Sequence, residues 1–129
     1  MFGTIVLVIA TLFFLYTAWS SGIAPVEFAE RFGLTVANAG GYNEIRAQYA
    51  GFFFAAALAC VASLAGVVPR QAAFIVLAVT FGGLLAGRLV SLALDGGIAG
   101  YGHRIVALYA IDASGLALAA TALVLQHRP

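Results

Sequence analysis

The sequence contains no lysine and little charge of any kind. Its 129 residues include six basic residues, all of them arginine, and five acidic ones, so that 9% of the chain is charged, whereas soluble domains have about 25%. A phosphate-binding P-loop needs a lysine after its glycines, and the glycine-rich stretch 95–102 is therefore predicted to be a flexible turn. The low charge argues against a soluble globular protein, and we expect no nucleic-acid partner.

Cysteine and histidine are also scarce. Cys60 is the single cysteine, which excludes a disulfide or a thiol-pair redox site within one chain. His103 and His127 lie at opposite ends of the last apolar block and cannot share a metal or a haem within one subunit. We therefore predict no metal site and no cofactor.

Apolar residues, by contrast, are abundant. They make up 64% of the chain, and the mean hydropathy is +1.06. Four apolar blocks each have about the 20 residues that a helix needs to cross the hydrocarbon core of a bilayer. We predict an all-α integral membrane four-helix bundle that forms a single domain over residues 1–129, with spans at about 2–22, 45–68, 72–94 and 103–125. The first block lacks a basic start and is too long for a typical signal peptide, so it is predicted to be a retained helix.

The connector after the first span predicts a further short helix. Within Ala24–Gly33, Pro25 suits a first helical turn and Gly33 suits a helix end. Acidic and basic side chains alternate there with apolar ones, which is typical of a helix that lies in the membrane interface. We predict this short interfacial helix between helices 1 and 2.

The arginines carry the orientation signal. Arg70 and Arg128 lie on one side of the membrane with no acidic residue nearby, while three arginines accompanied by acids lie on the other side. Arginine number alone slightly favours the second side as the cytoplasmic one. Because Arg70 and Arg128 have no acidic residue near them, we predict a multi-pass membrane protein with both termini in the cytoplasm.

Small residues recur at four-residue spacing along three spans. They are Gly51, Ala55, Ala59 and Ser63 in the second, Gly83 and Gly87 in the third, and Gly115 and Ala119 in the fourth. Such rows let helix backbones approach closely. We predict tight packing within the bundle, and contact between copies of the chain through one of the rows stays open.

The second span begins with an unusually polar stretch, NEIRAQYAGF at Asn43–Phe52. When the four spans are folded as antiparallel neighbours, this stretch lies level with polar residues of the other spans at one end of the bundle. Arg88 and Asp112 lie too deep to belong to helix ends, and an unpaired charge at such depth is costly. Each should therefore face the bundle interior and find a partner. The candidate ligand-binding residues are Glu44, Arg46, Gln48, Tyr49, Arg88, Ser91, Asp95 and Asp112.

Two interpretations of this polar layer stay open. The charges of three arginines balance those of three acids, namely Arg46, Arg88 and Arg104 against Glu44, Asp95 and Asp112. Such a network could serve only to fix the register of the helices. Alternatively, the layer forms a half-open polar pocket near one membrane face that holds a lipid headgroup, an amphipathic metabolite or a polar residue of a partner.

Several segments together resemble one known family. They are Pro25–Phe28 with Phe32–Leu34, then Asn43–Gly51, then Gly87-Arg88 followed by Asp95-Gly96. The family consists of small four-helix bacterial membrane proteins filed as a domain of unknown function, number 4345, and is similar in architecture to the DoxX-like proteins. Its most specific string is Glu-Ile-Arg-x-x-Tyr-x-Gly, which begins here at Glu44. The resemblance implies a four-helix bundle with polar residues in matching places, and it implies no reaction.

This chain departs from the family pattern at two places. The family usually has Tyr-Gly-Gly where this chain has Tyr49-Ala50-Gly51. It also often has a glutamate in the last helix, where this chain offers Asp112.

The predicted function is binding rather than catalysis. We expect a small membrane protein that binds a membrane lipid or another amphipathic small molecule at the intramembrane Glu/Arg/Tyr/Asp site. One alternative is an accessory or scaffolding subunit of a larger membrane complex, and another is a small transporter, although the first span contains no acid of the kind that small exporters use. An enzyme is least favoured, because acid–base catalysis needs an accessible group that titrates near neutral pH and no nucleophile is evident.

Overall fold

The computed structural model describes residues 1–126, which form helices and no strands. Within that range the α-helices are Phe2–Ile23 (α1), Pro25–Glu30 (α2), Ala39–Ile45 (α3), Phe52–Leu64 (α4), Arg70–Asp95 (α5) and His103–Gln126 (α6). A π-helical turn at Arg46–Gly51 joins α3 to α4. Four helical stretches are long and apolar enough to cross a membrane, namely α1, Ala39–Leu64, α5 and α6. The predicted all-α four-helix architecture is therefore confirmed, while His127 and Arg128 lie outside the described residues.

The core of the bundle lies between α1, α4 and the first half of α5. Leu7, Phe14, Ala57, Cys60 and Phe74 are all 0% exposed. The closest packing runs between α1 and α4 and between α5 and α6, whereas α1 and α6 touch more lightly. The side of the bundle between α1 and α6 is consequently more open than the others.

The second span begins earlier than predicted, at Ala39 rather than near residue 45. Asn38 stands just before it with an extended backbone, and its side-chain Oδ1 accepts a hydrogen bond from the N–H of Gly41 at 3.1 Å. This is the usual N-cap arrangement, which satisfies one of the free donors of a first helical turn. The polar residues of this stretch therefore lie within the helix and do not precede it.

The same span also ends earlier than predicted, at Leu64 rather than near residue 68. Gly66 adopts a left-handed φ of 75°, and the N–H of Val67 turns back to the carbonyl of Ala62 at 2.8 Å. Glycine in this conformation is a common helix terminator. Pro69 follows and has no N–H with which to continue a helix, so the turn to α5 is fixed locally.

The short helix predicted after the first span is present as α2. Phe28 and Ala29 are buried in a small cluster with Ile45 of α3, and Tyr49 packs on the same cluster. The polar residues Glu27 and Glu30 remain exposed. This burial holds α2 across the polar end of the bundle, against the beginning of the second span.

The small-residue rows are only partly used for packing. A Cβ atom added at Gly115 would lie 2.5 Å from the ring of Phe81, whereas one added at Gly83 or Gly87 would meet nothing within 4 Å. Ala119, one turn after Gly115, is 0% exposed. The row on α6 therefore lets α5 approach closely, and the row on α5 faces outward.

We predict that Gly115→Ala destabilises the bundle by about 1–3 kcal/mol, the usual cost of overpacking. The added methyl group would overlap the ring of Phe81 near its attachment to the backbone, where the ring has little freedom to move. Gly83→Ala is the matched control and should be neutral or slightly stabilising, because alanine is the better helix former. Thermal unfolding of both variants in one detergent, followed by circular dichroism, measures the difference. Equal stability of the two variants would contradict the close approach at Gly115.

Candidate functional site

Arg88 and Asp112 form an ion pair inside the bundle. Nε of Arg88 lies 2.5 Å from Oδ2 of Asp112, and the two side chains are 20% and 3% exposed. A second bond joins the same two helices, since the hydroxyl of Tyr109 donates to the backbone carbonyl of Arg88 at 2.7 Å. In the described part of the chain, no other carboxylate lies within 4.0 Å of an arginine. The pairing expected of two deep charges in the membrane is therefore made within α5 and α6.

The ion pair lines an open pocket of about 750 Å³, which we call the arginine pocket. Its residues come from α1, from α2 and the turn after it, and from the later spans. They are Phe13, Tyr16, Thr17, Phe28, Arg31, Phe32, Leu34, Tyr49, Phe53, Leu84, Arg88, Arg104, Ile105, Leu108 and Asp112. The volume is in the range of about 300–1,000 Å³ that is typical of small-molecule sites.

One side of the arginine pocket is a continuous row of aromatic rings. The ring centroids of Phe53 and Tyr49 are 6.5 Å apart, those of Tyr49 and Phe28 are 5.1 Å apart, and those of Phe28 and Phe32 are 5.2 Å apart. Phe53 continues the row into the core through Phe14, at 5.3 Å. Tilted and offset pairs at these distances are favourable. The apolar side of the pocket is therefore anchored in the bundle core.

The π-helical turn decides which residues of the polar stretch reach this pocket. The N–H of Phe52 bonds to the carbonyl of Ala47, five residues earlier, instead of the four of an α-helix. Tyr49, within the turn, is half-buried and lines the pocket. Arg46 is exposed, with Nε 3.4 Å from the carbonyl of Gly22. In an α-helix, residues three apart are neighbours on one face. The π-helical turn is wider than an α-helical turn, so it separates Arg46 from Tyr49 around the helix.

The arginine pocket carries an excess of positive charge. Three arginines line it, Arg31, Arg88 and Arg104, against the single carboxylate of Asp112, which is already paired with Arg88. Arg31 makes only a long contact, 3.5 Å, between its Nη1 and the hydroxyl of Tyr16. Within residues 1–126, neither Arg31 nor Arg104 has a carboxylate within 4.0 Å. Two exposed guanidinium groups at the mouth of the pocket are thus free to bind an anion.

Two further features modify the charge at this mouth. Arg104 lies in the first turn of α6, where the positive end of the helix dipole adds to its own field. Glu27 and Glu30 line a neighbouring cavity of about 700 Å³ together with Arg31 and Arg104. The two arginines therefore lie between the arginine pocket and a cavity that also contains acidic residues.

The charged donor groups of the pocket are the guanidinium groups of arginines. Guanidinium groups bind phosphate or carboxylate through paired N–H donors, and they do not ligate metals. No group of three or more histidine, cysteine, aspartate or glutamate side chains lies close together anywhere in residues 1–126. The two guanidinium groups without a carboxylate partner, those of Arg31 and Arg104, are able to bind and orient a negatively charged group.

A separate hydrogen-bonded cluster orders the connection between α5 and α6. The hydroxyl groups of Ser91 and Tyr101 donate to Oδ2 of Asp95, at 2.9 and 2.5 Å. The ring of Tyr101 stacks on that of Tyr109, with centroids 6.3 Å apart. The carboxylate of Asp95 raises the pKa of the Tyr101 phenol, because ionisation would remove the donated proton and place two negative charges side by side.

The structure brings together only some of the residues that the sequence predicts for the site. Tyr49, Arg88 and Asp112 line the arginine pocket. The predicted residues that do not line it are Glu44, Arg46, Gln48, Ser91 and Asp95. Glu44 and Gln48 are exposed on the outside of the second span, and Ser91 and Asp95 belong to the loop cluster. The balanced network of three arginines and three acids is therefore not formed.

Sequence reasoning placed Arg104 in the polar layer without naming it among the candidate ligand-binding residues, and it missed Arg31. Arg104 left a signal, because a cation in the first turn of a helix opposes the helix dipole and needs another reason to be there. Arg31 gave no such signal, because it follows α2 directly and has the spacing of an ordinary solvated residue. Its position depends on how α2 folds back over the second span.

The fold and the pocket define a multi-pass, four-helix membrane protein of unassigned activity. Residues 2–109, well over half of the chain, match the family model described as Domain of unknown function (DUF4345), and the chain belongs to this family. No curated protein and no solved structure matches the chain. The likeness in architecture to the DoxX-like proteins is not confirmed by these comparisons. The matched residues include Arg88 and exclude Asp112.

We predict that Asp112→Leu costs about 3–5 kcal/mol, because it leaves the charge of Arg88 buried without a partner. The double variant Arg88→Met/Asp112→Leu removes both charges and should recover most of this loss. Unfolding in detergent, followed by circular dichroism, measures all three proteins. If the double variant were no more stable than Asp112→Leu alone, the unpaired charge of Arg88 would not be the cause of the lost stability.

A second prediction concerns the loop cluster and alkaline pH. The pKa of Tyr101 is raised in the folded protein, so its hydrogen bond stabilises the loop fully below the ordinary tyrosine value of about 10 and is lost as the pH rises through the higher folded value. Titration by the ultraviolet absorbance of phenolate is compared between wild type and Tyr101→Phe, and the difference should show Tyr101 ionising above the ordinary tyrosine value of about 10. Ionisation of Tyr101 at or below that value would contradict the bond to Asp95.

Proposed function

We propose that this membrane protein binds a lipid or an amphipathic small molecule in the arginine pocket. One observation carries the proposal: the pocket combines an anchored aromatic side with two guanidinium groups, those of Arg31 and Arg104, that have no carboxylate partner in the described chain. An amphipathic ligand presents both an apolar and a polar part, and the pocket offers a surface to each. Intramembrane ionisable residues commonly mark such sites.

The alternative that the polar residues serve only to fix helix register accounts for part of the site. The ion pair of Arg88 with Asp112, supported by Tyr109, is sufficient to align α5 with α6. Fixing the register of the helices does not require a pocket of about 750 Å³ beside the ion pair. It also does not require two more arginines at the mouth of that pocket. We therefore propose a structural role for the ion pair and a binding role for the remaining residues of the pocket.

A second candidate function is that of an accessory subunit, or of a homo-oligomer, held together through exposed small residues. Gly83 and Gly87 lie one turn apart on α5, and no atom lies within 4 Å of a Cβ added at either position. Such a row suits close approach of another helix in the membrane. Co-purification of a stoichiometric membrane partner, or a dimer that Gly83→Leu abolishes, would favour this function.

We also propose that the protein lies in the bacterial inner membrane with both termini in the cytoplasm. Arg70, in the turn between the second and third spans, supports this orientation because no acid lies near it in the sequence. The arginine pocket is at the opposite end of the bundle, and it would then open toward the outer face of that membrane. An N-terminal reporter that is active only in the cytoplasm tests the orientation.

The binding proposal is tested by native mass spectrometry of gently extracted protein. We expect wild type to carry an anionic lipid or metabolite, and Arg104→Gln to lose it by about tenfold or more, because a charge-assisted contact is removed. Arg46→Gln is the matched control, since it removes the same charge at the same end of the bundle but outside the pocket. Retention of the adduct by Arg104→Gln, or its equal loss from both folded variants, would contradict the assignment to this pocket.

A further inference from the structure

A second cavity lies beside the arginine pocket, on the open side of the bundle between α1 and α6. It has a volume of about 310 Å³ and is almost entirely apolar, and we call it the α1–α6 groove. Ile9 and Ala10 form one side, Ala110 and Ser114 form the other, and Phe81 of α5 forms the floor. Ile9 is 55% exposed, so the groove opens sideways toward the hydrocarbon of the membrane.

The groove and the arginine pocket meet at one residue. Phe13 of α1 lines both cavities. On α6 the lining residues follow one helix face, from Leu108 and Asp112 in the pocket to Gly115 and Leu118 in the groove, at three- and four-residue spacing. The two cavities are therefore neighbours, and a molecule with its charged end in the pocket would have to pass Phe13 for its apolar part to lie in the groove.

We propose that the ligand of the arginine pocket is an anionic phospholipid of the membrane, with its phosphate at Arg31 and Arg104 and one acyl chain in the α1–α6 groove. This inference rests on the binding function proposed above and adds the chemical class and the pose of the ligand. Charge complementarity selects the anion, since two guanidinium groups at the mouth have no carboxylate partner in the described residues. Phosphate suits paired guanidinium donors particularly well.

The sideways opening explains how a chain-bearing ligand would enter. In the membrane no hydrophobic effect drives an acyl chain from lipid into the groove, because both surroundings are apolar. The phosphate contacts supply the affinity, and the groove offers the attached chain an apolar surface next to the pocket. A water-soluble anion would need no such groove, so the groove favours a lipid over a free phosphate compound.

Filling the groove tests this pose. Ala110→Phe places a ring in the groove, whereas Ala113→Phe is the matched control, an exposed alanine of the same helix that lines neither cavity. The probes are lysophosphatidylglycerol, lysophosphatidylcholine with the same single chain, and glycerol phosphate without a chain. Their retention by purified protein in a non-ionic detergent is measured by native mass spectrometry over a range of concentrations.

We expect wild type and Ala113→Phe to retain lysophosphatidylglycerol better than either other probe, and Ala110→Phe to retain it about tenfold less well. If Ala110→Phe fails to fold, Ser114→Phe fills the same groove and should give the same result. Equal retention of lysophosphatidylglycerol by a folded groove variant and wild type would overturn the pose while leaving binding in the pocket intact. Equal retention of the choline lipid, or of glycerol phosphate, would overturn the choice of an anionic lipid. Failure of wild type to retain any probe or native adduct would overturn the proposed function as well.

Discussion

A charge placed inside a membrane must be paired, and in this protein the constraint is met by the ion pair of Arg88 and Asp112. Each residue comes from a different helix, so the pair fixes the depth at which α5 and α6 lie against each other. The hydroxyl of Tyr109 supports the same contact by donating to the carbonyl of Arg88. The two helices also approach closely further along, where Gly115 meets Phe81.

The ion pair also determines what the rest of the polar end can do. Because Asp112 is committed to Arg88, it cannot neutralise Arg31 or Arg104 at the mouth of the pocket. The π-helical turn contributes in a different way, since it brings Tyr49 into the aromatic side of the pocket and leaves Arg46 outside. A polar helix start, a buried pair and a folded-back α2 together produce one positively charged, partly aromatic cavity.

Much of this architecture could be predicted from sequence, because hydropathy over about 20 residues reflects the thickness of the bilayer directly. The four spans follow from that constraint, and so does the partner expected for each of two deep charges. The short helix after the first span was predicted separately, from Pro25, Gly33 and the alternation of charged and apolar residues between them. The site was predicted less well. Depth along a helix can be counted from sequence, but the direction of a side chain around the helix cannot be known where a π-helical turn interrupts the usual period. Because of that interruption, Arg46 was predicted to line the site and does not. Arg31 could not be assigned to the site from sequence because its position depends on how α2 packs.

The most direct test of the proposed binding is a structure of the protein in nanodiscs that contain an anionic phospholipid. We expect Arg88 to remain on Asp112 while density for a headgroup lies within hydrogen-bonding distance of Arg31 or Arg104. An empty, closed pocket in which these two arginines turn outward to Glu27 and Glu30 would contradict the binding proposal. The polar end would then be a structural network, and the function would have to be sought at another surface of the protein.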